Sequence, residues 1–182
     1  MTCIVGVRGS GEVWIGADSA GVCDTLITSR ADPKVCRVGS YLFGFTDSFR
    51  MGDLLRFDLA PPNPSAYRGR PSDAHGFMVR EFVPALRACF DAGGFSRVDR
   101  GREEGGTFLV GFGEHLFGVY SDLQIERSRE GYVAVGSGAA VALGALHATR
   151  RQVAPRRRVV QALEAAAAHN TWVAPPFVLR HT

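Results

Sequence analysis

The sequence predicts an α+β fold, a layered αββα sandwich built on two antiparallel sheets. Two observations carry this expectation. Strand-like runs arrive in hairpin pairs, and groups of strands precede groups of helices twice over: hairpin pairs, two helices, a run of strands, two helices, a last strand. A third observation sets the scale: 182 residues, of which 46% are hydrophobic and 21% charged, suit one domain, residues 1–182, with a real core and no wholesale disorder.

The elements follow in order. Thr2–Arg8 and Glu12–Ala17 alternate as strands around Gly9-Ser10-Gly11, a hairpin turn. Asp18–Pro33 is polar and mixed, and Lys34–Val38 with Tyr41–Thr46 forms a second hairpin about Gly39-Ser40. Asp47–Leu59 has apolar residues at roughly helical spacing and ends before Pro61-Pro62. Ala60–Asp73 reads as an exposed loop, and Gly76–Ala92 as a helix kinked by Pro84 and ended by Gly93-Gly94. Arg97–Gly106 reads as a charged loop. Thr107–Phe112, Leu116–Tyr120, Gln124–Ser128 and Tyr132–Val135 read as short strands, Ala139–Thr149 and Arg156–His169 as helices, and Phe177–Leu179 as a closing strand.

Composition narrows the function. No apolar run reaches the roughly 18 residues of a membrane-spanning helix, and the first residues show no secretory pattern, so a cytoplasmic location and no membrane partner are expected. The net charge of +3 has no basic stretch longer than Arg156-Arg157-Arg158, so nucleic acid is not an expected partner. Cys3, Cys23, Cys36 and Cys89 form no CxxC pair, and the histidines have no ligand spacing, so no metal site is expected. Phosphate loops, GxSxG elbows and HExxH are all missing from the sequence.

One count is sharper. Of 21 basic residues, Lys34 is the only lysine. Arg stays protonated, whereas a Lys amine can be tuned by burial, so Lys34 is either retained for chemistry or spared by codon bias. Thr2 follows Met1 directly, and Met1 removal would unite a hydroxyl and a free α-amine in one residue. With a reference pKa near 7.7–8.0, that amine can serve as general base to the hydroxyl. A second-position Thr alone is a weak signal, but its neighbours add to it. Asp18 lies sixteen positions after Thr2, Lys34 thirty-two, and Ser137 sits in Gly136-Ser137-Gly138 before a small-residue helix.

With these four positions the sequence resembles the proteasome β-subunit and HslV family of N-terminal nucleophile (Ntn) hydrolases. The resemblance is clearest in Thr2–Ser19, Pro33–Leu55 and Thr107–Leu146; Lys34-Val35-Cys36-Arg37-Val38 followed by Leu42-Phe43-Gly44-Phe45-Thr46 is similar to HslV in particular. It implies a four-layer Ntn-hydrolase fold and a threonine endopeptidase. Thr2 Oγ attacks the carbonyl, Lys34 lowers the hydroxyl pKa, Asp18 positions Lys34, and Ser137 orients the amine. Main-chain N–H groups of Thr46-Asp47-Ser48 are the implied oxyanion donors, with Thr46 and Ser48 at the substrate pocket. Ser19 and Asn170 stand in the surrounding shell.

Two departures from the family accompany this likeness. Asp47 replaces Gly-rich sequence and would oppose an oxyanion if it pointed inward; Asn170 and Val173 stand where the proteasome β pattern has Asp and Ser. No cofactor is expected, and Pro175-Pro176 speaks against the carbonyl-bound cation of some family members. The implied partners are like subunits in a homo-oligomeric ring, an AAA+ unfoldase ATPase, and a peptide or unfolded protein substrate. A catalytically silent subunit of the same fold and a small-molecule Ntn amidase are the alternatives.

Overall fold

The computed structural model describes residues 2–66, 71–99, 101–151 and 154–182. The chain opens with an antiparallel hairpin of β1 (Ile4–Gly9) and β2 (Glu12–Ala17). Gly9 pairs with Glu12, so the loop is Ser10-Gly11; their φ values of 57° and 78° are those of the two-residue turn whose twist matches the strands. Next come β3 (Ala20–Cys23) and β4 (Leu26–Ser29), a small separate hairpin, then β5 (Val35–Val38) and β6 (Tyr41–Phe45).

Helix α1 (Phe49–Asp53) runs into a π-helical turn over Leu54–Asp58. Helix α2 (Pro71–Phe77), a second π-helical turn over Met78–Phe82 and α3 (Val83–Ala92) form one continuous helical stretch. The irregularity expected at Pro84 therefore lies just before it. Pro84 follows just after the π-turn, and the wider π-turn takes up the steric demand of its ring on the preceding backbone. Arg97–Gly106, expected as a loop, contains a charged hairpin of β7 (Arg97–Asp99) and β8 (Arg102–Glu104).

After β9 (Phe108–Phe112), β10 (His115–Val119), β11 (Ile125–Glu126) and β12 (Tyr132–Val135) come α4 (Ala139–Ala148), α5 (Pro155–His169) and β13 (Val178–His181). Two antiparallel sheets result, with strand orders β12-β1-β2-β13 and β11-β10-β9-β6-β5. Their inner faces meet through Ile4, Val13, Ile15, Leu42, Leu109 and Val135. On the outer face of the first sheet, Val5, Val7 and Ala134 pack against Ala142 and Leu146 of α4 and Val159 and Leu163 of α5. On the outer face of the second, Tyr41, Phe43, Phe108 and Val110 pack against Met51, Leu54, Phe82, Leu86 and Phe90. Each central strand is thus buried on both faces, and its alternate residues enter different layers. This is the four-layer αββα arrangement.

Gly44 of β6 sets how closely the sheets approach. A Cβ there would lie 2.6 Å from Ile15 Cγ2 and 2.7 Å from Ile4 Cγ2, methyls on two strands of the opposite sheet. Gly44→Ala is expected to lower stability by about 1–3 kcal/mol through overpacking, read from the denaturation midpoint at unchanged m-value.

Candidate active site

Three strand ends converge at one edge of the sandwich. Thr2 lies two residues before the start of β1, Asp18 immediately follows β2, and Lys34 immediately precedes β5. Antiparallel pairing of Ile4 with Ala17 places the Thr2 and Asp18 ends together within the first sheet. Packing of the second sheet against it delivers Lys34. All three residues are 3% exposed or less, so their polar groups must satisfy one another.

They do so closely. Thr2 Oγ1 donates to Asp18 Oδ1, and Lys34 Nζ donates to Thr2 Oγ1 at 2.5 Å and to Asp18 Oδ2 at 2.9 Å. Asp18 also accepts main-chain bonds from Cys3 N at 2.9 Å and Ala20 N at 3.0 Å. The carboxylate is therefore held on both oxygens by both flanking strands, and it in turn holds the ammonium against the Thr2 hydroxyl. Burial pushes the Lys34 ammonium below its ordinary range, while the charge and hydrogen bond of Asp18 push it back up.

The Thr2 main chain is gripped from the other side. Ser137 Oγ and Gly138 N both donate to Thr2 O at 3.2 Å. Gly136, at a φ of 95°, leaves room for this approach, since a Cβ there would collide with the Thr2 carbonyl. The described partner of the Ser137 hydroxyl is thus the Thr2 carbonyl, whereas the resemblance implies a role at the amine. Asn170, at the end of α5, donates from Nδ2 to Ser137 O at 2.8 Å and accepts from Trp172 N at 2.9 Å, tying the serine turn to the C-terminal segment. Val173 is buried in the apolar layer with residues of α4 and α5. Ser19 is buried beside Asp18; its N–H donates to Ala174 O at 3.1 Å and its carbonyl accepts from Arg30 N at 2.9 Å. Met1 lies outside the described residues.

Beside Thr2 and Lys34 opens a small cleft of about 20 Å³, walled by Phe45, Thr46, Asp47, Ser48 and Phe49. Asp47, at a φ of 63°, turns its carboxylate to Thr107 N at 3.0 Å and Thr46 Oγ1 at 3.4 Å. It therefore pins the loop to the start of β9, and its charge is engaged by a main-chain N–H and a hydroxyl. The Thr46 N–H donates to Thr107 O at 3.1 Å and the Ser48 N–H to Thr46 O at 2.7 Å. The Ser48 hydroxyl caps α1, accepting from Met51 N at 3.3 Å. The Arg30 guanidinium lies 3.7 Å from the centre of the Phe49 ring and pairs with Asp32. Sequence reading passed over Phe45, Phe49 and Arg30; the alternation of Tyr41, Phe43 and Phe45 was the available signal for the first.

Cys3, next to Thr2, is no rival nucleophile. Burial pushes its thiol up from 9.0 to about 12, with Asp18 adding to the rise and Lys34 opposing it. At pH 8 iodoacetamide is expected to label exposed Cys23 in the native protein and to reach buried Cys3 and Cys36 only after denaturation, as peptide mass mapping would show.

Among the described residues no group of three or more His, Cys, Asp or Glu is placed to hold a metal, and no helix is long and apolar enough to cross a membrane. No family model matches the chain, and no curated protein matches it. Solved structures do. BPH of Thiobacillus denitrificans in complex with epoxomicin superposes with a TM-score of 0.76 at 21% identity, covering 99% of this chain and 97% of that one. A second structure of BPH gives 0.75 at 22% identity, with the same coverage. Eukaryotic HslV from Trypanosoma brucei gives 0.70 at 15% identity, covering 98% of each chain. At these identities the likeness is one of fold, and over nearly its whole length this chain has the four-layer Ntn-hydrolase fold of HslV.

Proposed function

We propose that the chain is a threonine peptidase that hydrolyses peptide bonds with Thr2 as nucleophile once Met1 is removed. The observation that carries this reading is the buried contact of Lys34 Nζ with both Thr2 Oγ1 and Asp18. An ammonium at that place favours the alkoxide over the hydroxyl and so lowers the barrier to attack. The freed α-amine of Thr2 takes the proton, directly or through a water, and returns it to the leaving amine.

The acyl group then stays on Thr2 Oγ until water releases it. Of the three main-chain N–H groups expected as oxyanion donors, those of Thr46 and Ser48 are engaged in the loop itself. The Asp47 N–H is the donor left for the tetrahedral oxyanion. The residue preceding the cleaved bond enters the cleft against Phe45 and Phe49, which suits an apolar side chain. By the resemblance, the subunits assemble in a ring fed by an AAA+ ATPase.

Intact mass and epoxomicin test the reading together. The expected result is a chain lighter by one Met residue that gains one epoxomicin on Thr2, with no adduct in Thr2→Ala. A chain that keeps Met1 and takes no inhibitor would instead support a silent subunit of this fold.

A further inference from the structure

The opposite end of β1 carries a second polar concavity. Arg8 lies six residues from Thr2, about 20 Å along an extended strand. It follows Ile4 and Gly6 on the face turned to the second sheet, where the sandwich is no longer closed by apolar side chains. There the β9–β10 turn and the loop between β11 and β12 flank it. The result is a cleft of about 310 Å³ lined by Arg8, Glu114, His115, Arg127, Ser128 and Arg129. Leu116 and Gly131 line the adjoining recess.

The charges in this cleft are lopsided, with three guanidiniums and one carboxylate. Arg8 and Arg129 have no carboxylate within ion-pair distance among the described residues. Crowded like charges have an electrostatic cost that a bound anion removes, and guanidinium geometry matches oxyanions in pairs of hydrogen bonds. The half-buried His115 senses the same field. Burial lowers its pKa first, Glu114 opposes this, and Arg127 and Arg8 lower it further.

We infer that this cleft binds a pyrophosphate-type oxyanion, bridged by Arg8 and Arg129 with Arg127 and the Ser128 hydroxyl at its sides. Two linked phosphates offer more acceptor oxygens than one to Arg8 at the end of β1 and to Arg127, Ser128 and Arg129 of the β11–β12 loop. The site is independent of the Thr2 chemistry, because it lies at the far end of the strand and shares no residue with it.

Calorimetric titration with pyrophosphate in low salt tests this. The expected result is saturable one-to-one binding that weakens at least tenfold in Arg8→Ala/Arg129→Ala. Arg156→Ala/Arg157→Ala, which removes two arginines of α5 outside the cleft, should leave it within twofold. In NMR titration the His115 pKa should rise on saturation, since an anion favours the imidazolium. ADP distinguishes the ligand source: tighter binding than pyrophosphate identifies a nucleoside diphosphate, and equal binding identifies the free anion. No saturable binding, or equal losses in the two double variants, overturns the inference. All four arginines are exposed, so the variants should fold.

Discussion

Lys34→Ala is expected to lower kcat/KM for a peptidyl-coumarin amide at least about 1,000-fold, some 4 kcal/mol in the barrier. Lys34→Arg should fall nearly as far. The ammonium is a compact donor fitted between two acceptors, at 2.5 Å from Thr2 Oγ1 and 2.9 Å from Asp18 Oδ2, with its side chain 3% exposed. A guanidinium spreads its charge over a planar fork and has no room to bring one N–H to both oxygens. The comparison thus separates a role for the lysine shape from a role for positive charge alone. Both variants should retain Met1 removal by intact mass, so that loss of rate is not loss of the nucleophile. Lys34→Arg turning over within threefold of the parent would end the argument for a lysine-specific function.

The second large effect concerns stability. Asp18→Ala deletes the acceptor of Lys34 and of the Cys3 and Ala20 N–H groups at a position only 1% exposed. Removing one partner of a buried ion pair leaves the other charge uncompensated, at a cost of about 3–5 kcal/mol. Replacing both partners should be far milder. Asp18→Ala/Lys34→Met is therefore expected to be more stable than Asp18→Ala, a non-additive pair in a double-mutant cycle followed by urea denaturation. A single Asp18→Ala variant within about 1 kcal/mol of the parent would mean that Lys34 becomes hydrated or sheds its proton once the carboxylate is gone, the direction in which burial already pushes its pKa, and that the ion pair does not hold this corner of the fold.

Some of this architecture is legible in the residues and some is not, for reasons that differ by element. Strands β1, β2, β6, β9 and β12 carry alternating or continuous apolar residues because they are buried on both faces. The hairpins β3–β4 and β7–β8 leave no such trace. All four residues of β4 are exposed, and β7–β8 pairs charged segments, so main-chain pairing rather than an apolar pattern makes them strands. The two π-turns are equally silent, since one extra backbone residue does not alter the apolar composition of a helix.

The candidate site divides along the same line. The spacing of Thr2, Asp18 and Lys34 is written in the chain, because short hairpins convert a fixed number of residues into a fixed position at the sheet edge. The direction of Asp47 is not. Its carboxylate is held by Thr107 N, sixty positions later, which pairing of β6 with β9 brings within 3.0 Å.

By itself the sequence determined the layering, the strand ends that bear the threonine, carboxylate and lysine, and the uniqueness of that lysine, all of which depend on local periodicity and count. Only the tertiary structure decided that the three groups are buried and in mutual contact, that Asn170 ties the serine turn to the C-terminal segment, and that arginines from β1 and from the β11–β12 loop share one cleft at the far end. Those features depend on how two sheets stack, and contacts between residues distant in sequence have no period for a linear reading to detect.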